Sequence, residues 1–317
     1  MRTAPVKIVH PDGSREERGE LERALQEHGI AVEDVKVHYG APADADDWVA
    51  RVGDAELVLL GWSVPDAALE RFPAVRAIVF LGTGAADHIN LALADRLGIE
   101  VRTVAGYGDD SVAEHALALM LAMARRIPEH DALVRNGEWE QRAGTLLRDK
   151  TVGVIGLGGI GARFAQLAAG IGMDVIGWNR SAERGESTSD RGIPLLPLDE
   201  LCRRADVLSL HLALNAETEG IIGAERVDAM APGTIVVNTA RAGVIDVEAV
   251  RRRTEAGELC YAADVFDPEP LPEDAPQRQA PNTVLTPHVA FFTPEATLEL
   301  YRGACVHLAT LLEKAAC

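Results

Sequence analysis

The chain has 317 residues, 47 % hydrophobic and 25 % charged, proportions that argue against wholesale disorder, a collagen or a coiled coil. At about 150 residues per domain, that length implies two domains. Asp and Glu outnumber Lys and Arg by 49 to 31, giving a formal charge of −18; such a surface repels nucleic acid and anionic membranes, and an anionic substrate would need local cations.

Short apolar runs alternate with helical segments from the start. Residues 6–9, 55–60 and 75–81 read as buried strands, with helices over 16–28 and 85–97. Residues 111–126 (SVAEHALALMLAMARR) form the strongest helix signal: Ser111 opens it, Glu114 follows at capping-box spacing, and two arginines close it before Pro128. The segment is apolar almost all round, which predicts burial in a core or a subunit interface. A second series follows, with strands over 152–155, 174–178, 207–210, 234–238, 261–265 and 283–286. Residues 267–282 hold five prolines without periodicity and read as a loop; 294–314 reads as a closing amphipathic helix. Alternating strands and helices imply an α/β fold with parallel sheets. Cys202, Cys260, Cys305 and Cys317 form no CxxC pair, so reduced thiols in a cytoplasm are expected, and no metal site. The opening MRTAPVKIVHPDG has no apolar signal-peptide core, and the longest apolar helical stretch, 116–124, is too short to span a bilayer.

The richest motif is Val152-Gly153-Val154-Ile155-Gly156-Leu157-Gly158-Gly159-Ile160-Gly161, a strand running through G-x-G-x-x-G into a helix over 162–169. Gly156 suits the tight turn, Gly158 the approach of a pyrophosphate to the helix N-terminus, and Gly161 close helix–strand packing. The next strand ends in Asn179-Arg180-Ser181 where an NAD site usually presents a carboxylate to the ribose. Without that carboxylate, and with Arg180 and Ser181 as donors to a 2′-phosphate, NADP(H) is expected to be preferred over NAD(H), by about 10–100-fold.

With these motifs the sequence resembles the D-isomer-specific 2-hydroxyacid dehydrogenases. The resemblance is carried by Gly82-Thr83-Gly84, Ser111 to His115, the glycine motif, Leu210-His211-Leu212, Val237 to Arg241, Ala263 to Phe266 with Glu269-Pro270, and Thr286-Pro287-His288. It implies two Rossmann-like domains. A dinucleotide-binding domain, 104–289, is inserted into a discontinuous substrate-binding domain, 1–103 plus 290–317. It also implies that Arg241, Glu269 and His288 carry the interconversion of a 2-oxo acid and a D-2-hydroxy acid. His288 is the natural proton donor, Glu269 would orient and stabilise its imidazolium, and Arg241 would clamp the carboxylate and polarise the carbonyl. Thr83 and Gly84 match the loop that holds the substrate carboxylate. Asp264 is expected to accept from the nicotinamide carboxamide, Thr239 and Ala240 to touch the nicotinamide half, and His211 to lie on the adenine side. Ser111, Gly159 and Ile160 complete the expected cofactor set. His115 is read as structural.

Ala242 and Leu212-Ala213 depart from the family's usual Gly and Leu-Pro. Phe291 and Phe292 follow His288, Trp62 follows a strand of the first domain and Tyr107 lies near the interdomain hinge; a cluster of these aromatics at one cleft would favour a bulky or apolar substrate side chain. Formate or phosphite oxidation is disfavoured, because formate oxidation in this superfamily uses Gln where Glu269 stands. A dinucleotide-sensing, corepressor-like protein is the alternative to an enzyme. The apolar helix predicts a homodimer formed mainly by the nucleotide domains.

Overall fold

A computed structural model describes residues 6–316. Cys317 and the first five residues of the opening segment lie outside the described residues. The chain divides into two compact units, one running to Gly108 and resuming at Phe292, the other Asp109–Phe291.

The first unit is a five-stranded sheet of β1 (Ile8–Gly13), β2 (Val35–Tyr39), β3 (Leu57–Leu60), β4 (Ala77–Phe80) and β5 (Glu100–Thr103), with helices α1 (Arg18–Glu27), α2 (Ala45–Val52), α3 (Asp66–Leu69) and α4 (Leu91–Arg96). All its pairings are parallel, in the order β2-β1-β3-β4-β5. The order reverses between β1 and β3, the point where open α/β sheets leave a crevice at their carboxyl ends. The apolar runs over β1, β3 and β4 are the inner strands. β2 and β5 are edges, and their alternation of polar and apolar residues (VKVHY, EVRT) hides them from a search for apolar runs. The helix expected over 85–97 is broken. A single turn, Ala85–Asp87, ends at His88, and α4 restarts where the Leu93 N–H donates to the Asn90 side chain at 3.0 Å.

The second unit carries α5 (Asp109–Ala124), α6 (Ile127–Arg135), β6 (Thr151–Ile155), α7 (Gly159–Gly170), β7 (Asp174–Trp178), α8 (Leu198–Arg204), β8 (Val207–Leu210), α9 (Ala224–Ala229), β9 (Thr234–Asn238), α10 (Val247–Glu255), β10 (Leu259–Ala263) and β11 (Thr283–Leu285). The sheet order is β11-β10-β9-β8-β6-β7, again all parallel, and it reverses between β6 and β8. Strand β10 starts two residues before the expected 261, so Asp264 stands just beyond its end. Helix α5 begins at Asp109, and Ser111 lies inside its first turn rather than capping it; two acidic residues at the helix start favour the earlier onset. Arg126 is left-handed (φ 51°), and Pro128 sits in the first turn of α6. One face of α5 (Ala113, Ala116, Met120, Met123) packs with Phe164, Ala165 and Ala168 of α7 over Val152, Val154 and Ile235. The opposite stripe, with Glu114 and Ala118, is exposed in the single chain.

The last helix, α11 (Pro294–Ala316), returns to the first unit. Tyr301, Ala304, Cys305, Leu308 and Leu311 join Leu21, Ala24 and Leu25 of α1 over Ile8, Leu57 and Leu59. A fully buried leucine contributes about 1.5–3 kcal/mol, so this seam is a substantial part of the unit's stability. No helix among the described residues is long and apolar enough to cross a membrane.

Candidate active site and nucleotide cradle

The glycines after β6 build a tight cradle at the switch between β6 and β8. Gly156 has φ 92°, and a Cβ there would lie 2.4 Å from the His211 carbonyl oxygen. A Cβ on Gly161 would lie 1.9 Å from the Gly156 carbonyl oxygen, so the first turn of α7 can approach the loop only with glycine at this position. Gly158 meets nothing within 4 Å, leaving open space before the helix N-terminus. Gly159 has a different reason to be glycine: its Cβ would lie 1.8 Å from Asp109 Oδ2. Burial, then the neighbouring Asp110, raises the Asp109 carboxyl above its usual range. Ile160 packs against the α5–α7 core.

Two buried polar atoms at the carboxyl ends of the adjacent strands have no hydrogen-bond partner among the described residues: His211 Nδ1 after β8 and Thr239 Oγ1 after β9. Open space at a helix N-terminus flanked by two orphaned polar atoms fits a dinucleotide. His211 Nε2 lies 2.8 Å from Ser209 Oγ, the ring packs against Phe164, and burial pushes its pKa down to about 3, so the imidazole is neutral. Ala240 spends its N–H on Asn238 Oδ1 at 3.0 Å.

The loop after β7 is bonded within itself and across to Glu217. Asn179 Oδ1 accepts from the Ser181 N–H, the Ser181 hydroxyl (2.7 Å) and the Ala182 N–H, so Asn179 and Ser181 are turned upon each other. Arg180 does not stand clear: its Nη1 donates to Glu217 Oε2 at 2.8 Å, with both side chains exposed.

The proton-transfer candidates come together. His288 Nδ1 lies 2.7 Å from Glu269 Oε2, while Glu269 Oε1 accepts from the Phe266 N–H at 2.8 Å. The Phe291 ring meets the imidazole edge-on, centroids 5.9 Å apart. His288 has φ 53°, a left-handed backbone that costs a non-glycine residue about 1–3 kcal/mol.

The environment of Asp264 explains how that conformation is held. Asp264 is fully buried. Oδ1 accepts from the Thr286 hydroxyl (2.6 Å) and the Val289 N–H (3.0 Å), and Oδ2 from the Ala290 N–H (2.8 Å). Burial raises its carboxyl pKa, but these bonds and His115 together hold it below the usual carboxylate range. The oxygens of Asp264 grip the loop on both sides of His288. Sequence reasoning missed Thr286 and His115 as its companions. The spacing of 171 residues between those two leaves no local signal.

Arg241 follows β9 in extended backbone, its carbonyl accepting from Asn238 Nδ2 at 3.0 Å and its Nη1 donating to the Ala240 carbonyl at 2.8 Å. In the first unit, Thr83 and Gly84 follow β4, and among the described residues neither N–H donates to a backbone carbonyl. At the β1/β3 switch, buried Asp12 accepts from the Gly61 and Trp62 N–H groups, and the Trp62 side chain stands exposed. Tyr107 packs against the first unit's core. Among the described residues no group of three His, Cys, Asp or Glu could hold a metal ion.

The model of the D-isomer specific 2-hydroxyacid dehydrogenase NAD binding domain matches residues 117–290. A D-3-phosphoglycerate dehydrogenase of Archaeoglobus fulgidus is 40 % identical over 68 % of this chain, and the match spans 41 % of that longer protein. A glyoxylate reductase of Aeropyrum pernix is 36 % identical over 82 % of this chain and 80 % of its own. Among solved structures, an acyclic imino acid reductase in complex with NADPH and D-Arg superposes with a TM-score of 0.84 at 26 % identity, covering 98 % of each chain.

Proposed function

This chain belongs to the D-isomer-specific 2-hydroxyacid dehydrogenase family, and on that premise we propose that it interconverts a 2-oxo acid and a D-2-hydroxy acid with a nicotinamide dinucleotide. The observation that carries the reading is the His288–Glu269 pair, 2.7 Å apart in the same unit as the glycine cradle. The bound dinucleotide would supply the hydride to the carbonyl carbon. Glu269 accepts from His288 Nδ1–H and leaves Nε2 for the substrate. In reduction, Nε2–H donates its proton to the oxygen as negative charge develops there; in oxidation, bare Nε2 takes the hydroxyl proton. Arg241 binds the substrate carboxylate and polarises the carbonyl. The second unit is the nucleotide-binding domain and the first the substrate-binding domain.

The cofactor we favour is NADP(H), with NAD(H) the weaker one. Support comes from the missing carboxylate at 179, from Arg180, and from the neighbour solved with NADPH. We also favour a cytoplasmic homodimer through the second unit. Its exposed α5 stripe lies in the same unit as exposed Ile127, Val134, Leu146 and Trp139, the last 85 % accessible. Nothing in the geometry or among the relatives supports a sensing role without turnover.

A spectrophotometric screen of 2-oxo acids with NADPH and NADH tests the reading. Turnover of at least one acid is expected, and none across acids of graded side-chain size would refute it. Light scattering at micromolar concentration should show a dimer; a monomer would remove that part.

A further inference from the structure

The geometry points to His115 as a positioning residue that holds the proton-transfer loop from helix α5, acting through Thr286 and Asp264 on His288. The inference rests on the assignment of His288 as the proton-transfer group. His115 Nε2 lies 3.0 Å from Thr286 Oγ1 and 3.6 Å from Asp264 Oδ1. The Thr286 hydroxyl has one proton, and it goes to Asp264 Oδ1 at 2.6 Å. The contact with His115 therefore requires Thr286 Oγ1 to accept, so the imidazole carries its proton on Nε2. The direction of the chain is thereby set: His115 Nε2–H to Thr286, Thr286 O–H to Asp264, with Asp264 accepting in turn from the Val289 and Ala290 N–H groups.

This chain brackets a residue under strain. Thr286 lies two residues before His288, and Val289 and Ala290 directly follow it, so the groups bonded to Asp264 flank the left-handed backbone at φ 53°. A carboxylate gripping both flanks over-determines that conformation, and Asp264 has no solvent to turn to because it is fully buried. Thr286 is held on one side by its bond to Asp264 and on the other by His115. Without the His115 donor its hydroxyl is free to rotate from Asp264 Oδ1, and the loop loses one of its three fastenings. His115 itself sits on α5, whose inner face is packed against α7 and the sheet, so the anchor is rigid. A small displacement of an acid–base group lowers the rate of proton transfer while leaving ground-state binding nearly intact.

The test uses the full chain with His115→Ala, His115→Asn and His115→Gln. A Gln amide nitrogen reaches the place of Nε2, whereas the shorter Asn amide stands nearer that of Nδ1. Substrate kinetics, dinucleotide affinity by NADPH fluorescence, and amide hydrogen exchange at Val289 and Ala290 are measured for each. Ala and Asn should lower kcat about tenfold, with KM and NADPH affinity within about threefold of the parent. Both should speed exchange at Val289 and Ala290 while exchange in β6 stays unchanged, and Gln should restore rate and protection. Unchanged exchange at Val289 and Ala290, a Gln variant as impaired as Asn, or faster exchange throughout β6 would each overturn the proposal. If the Ala variant fails to fold, the Asn–Gln pair decides. The exchange readout needs no substrate, so it separates failure of this inference from failure of the proposed reaction.

Discussion

Replacing Glu217 by Gln should strengthen discrimination for NADP(H) over NAD(H). Arg180 and Glu217 meet at 2.8 Å with side chains 78 % and 69 % exposed. Such a pair contributes at most about 1 kcal/mol. A 2′-phosphate must break it, and then meets the Glu217 charge as a repulsive neighbour. A charge-assisted bond from Arg180 to the phosphate contributes about 1.5–3 kcal/mol, so the pair takes back a large part of that gain. The preference in the parent should therefore lie near the low end of the 10–100-fold expected from residues 179–181 alone. Removing the carboxylate should raise it by up to about fivefold. Fluorescence titration gives the two dissociation constants directly, and the kcat/KM ratio for the two cofactors gives an independent value. On an Arg180→Ala background the same substitution should change little, because there is no cation left to release. A fall in the NADPH:NADH ratio in Glu217→Gln, or an equal rise with Arg180 absent, would refute the reasoning. The first result would point to Glu217 holding something other than Arg180, and the second to a charge effect that does not involve the pair.

Other substitutions probe the cradle and the acid–base pair. His288→Asn should reduce kcat by about 10²–10⁴-fold while NADPH binding, followed by fluorescence, survives; a kcat within a few-fold of the parent would remove His288 from the chemistry. Gly161→Ala places a Cβ 1.9 Å from a backbone oxygen and should destabilise the chain by about 3 kcal/mol in denaturant titration, with loss of dinucleotide binding; a neutral result would mean that α7 slides freely. His211 is buried neutral with its pKa pushed down to about 3, well below the usual value near 6.5. The unfolded chain takes up a proton there first, so this contribution is fully present above about pH 6.5 and is lost as pH falls from there toward 3, by about 1.4 kcal/mol per unit. Comparing denaturant midpoints at pH 7.5 and 5.5, His211→Gln should show a smaller drop than the parent, and an equal drop would place the proton elsewhere.

The α/β class, most of the inner strands, the glycine turn and the family are legible in the chain before any fold is known. Those properties are written in local patterns: apolar runs such as LVLL and TIVVN, and glycines at spacings that only a strand–turn–helix junction requires. The edge strands β2 and β5 escaped because a strand with one free side keeps polar residues. Tertiary structure alone decided which polar groups satisfy one another. Asp264 meets the N–H groups of Val289 and Ala290, 25 and 26 residues away, and Arg180 finds Glu217 at 37. His115, read from the sequence as structural, reaches Thr286 across 171 residues. A motif records what a backbone needs locally. The partner of a side chain depends on how loops from separate strands converge at one end of a sheet, and no spacing along the chain encodes that distance.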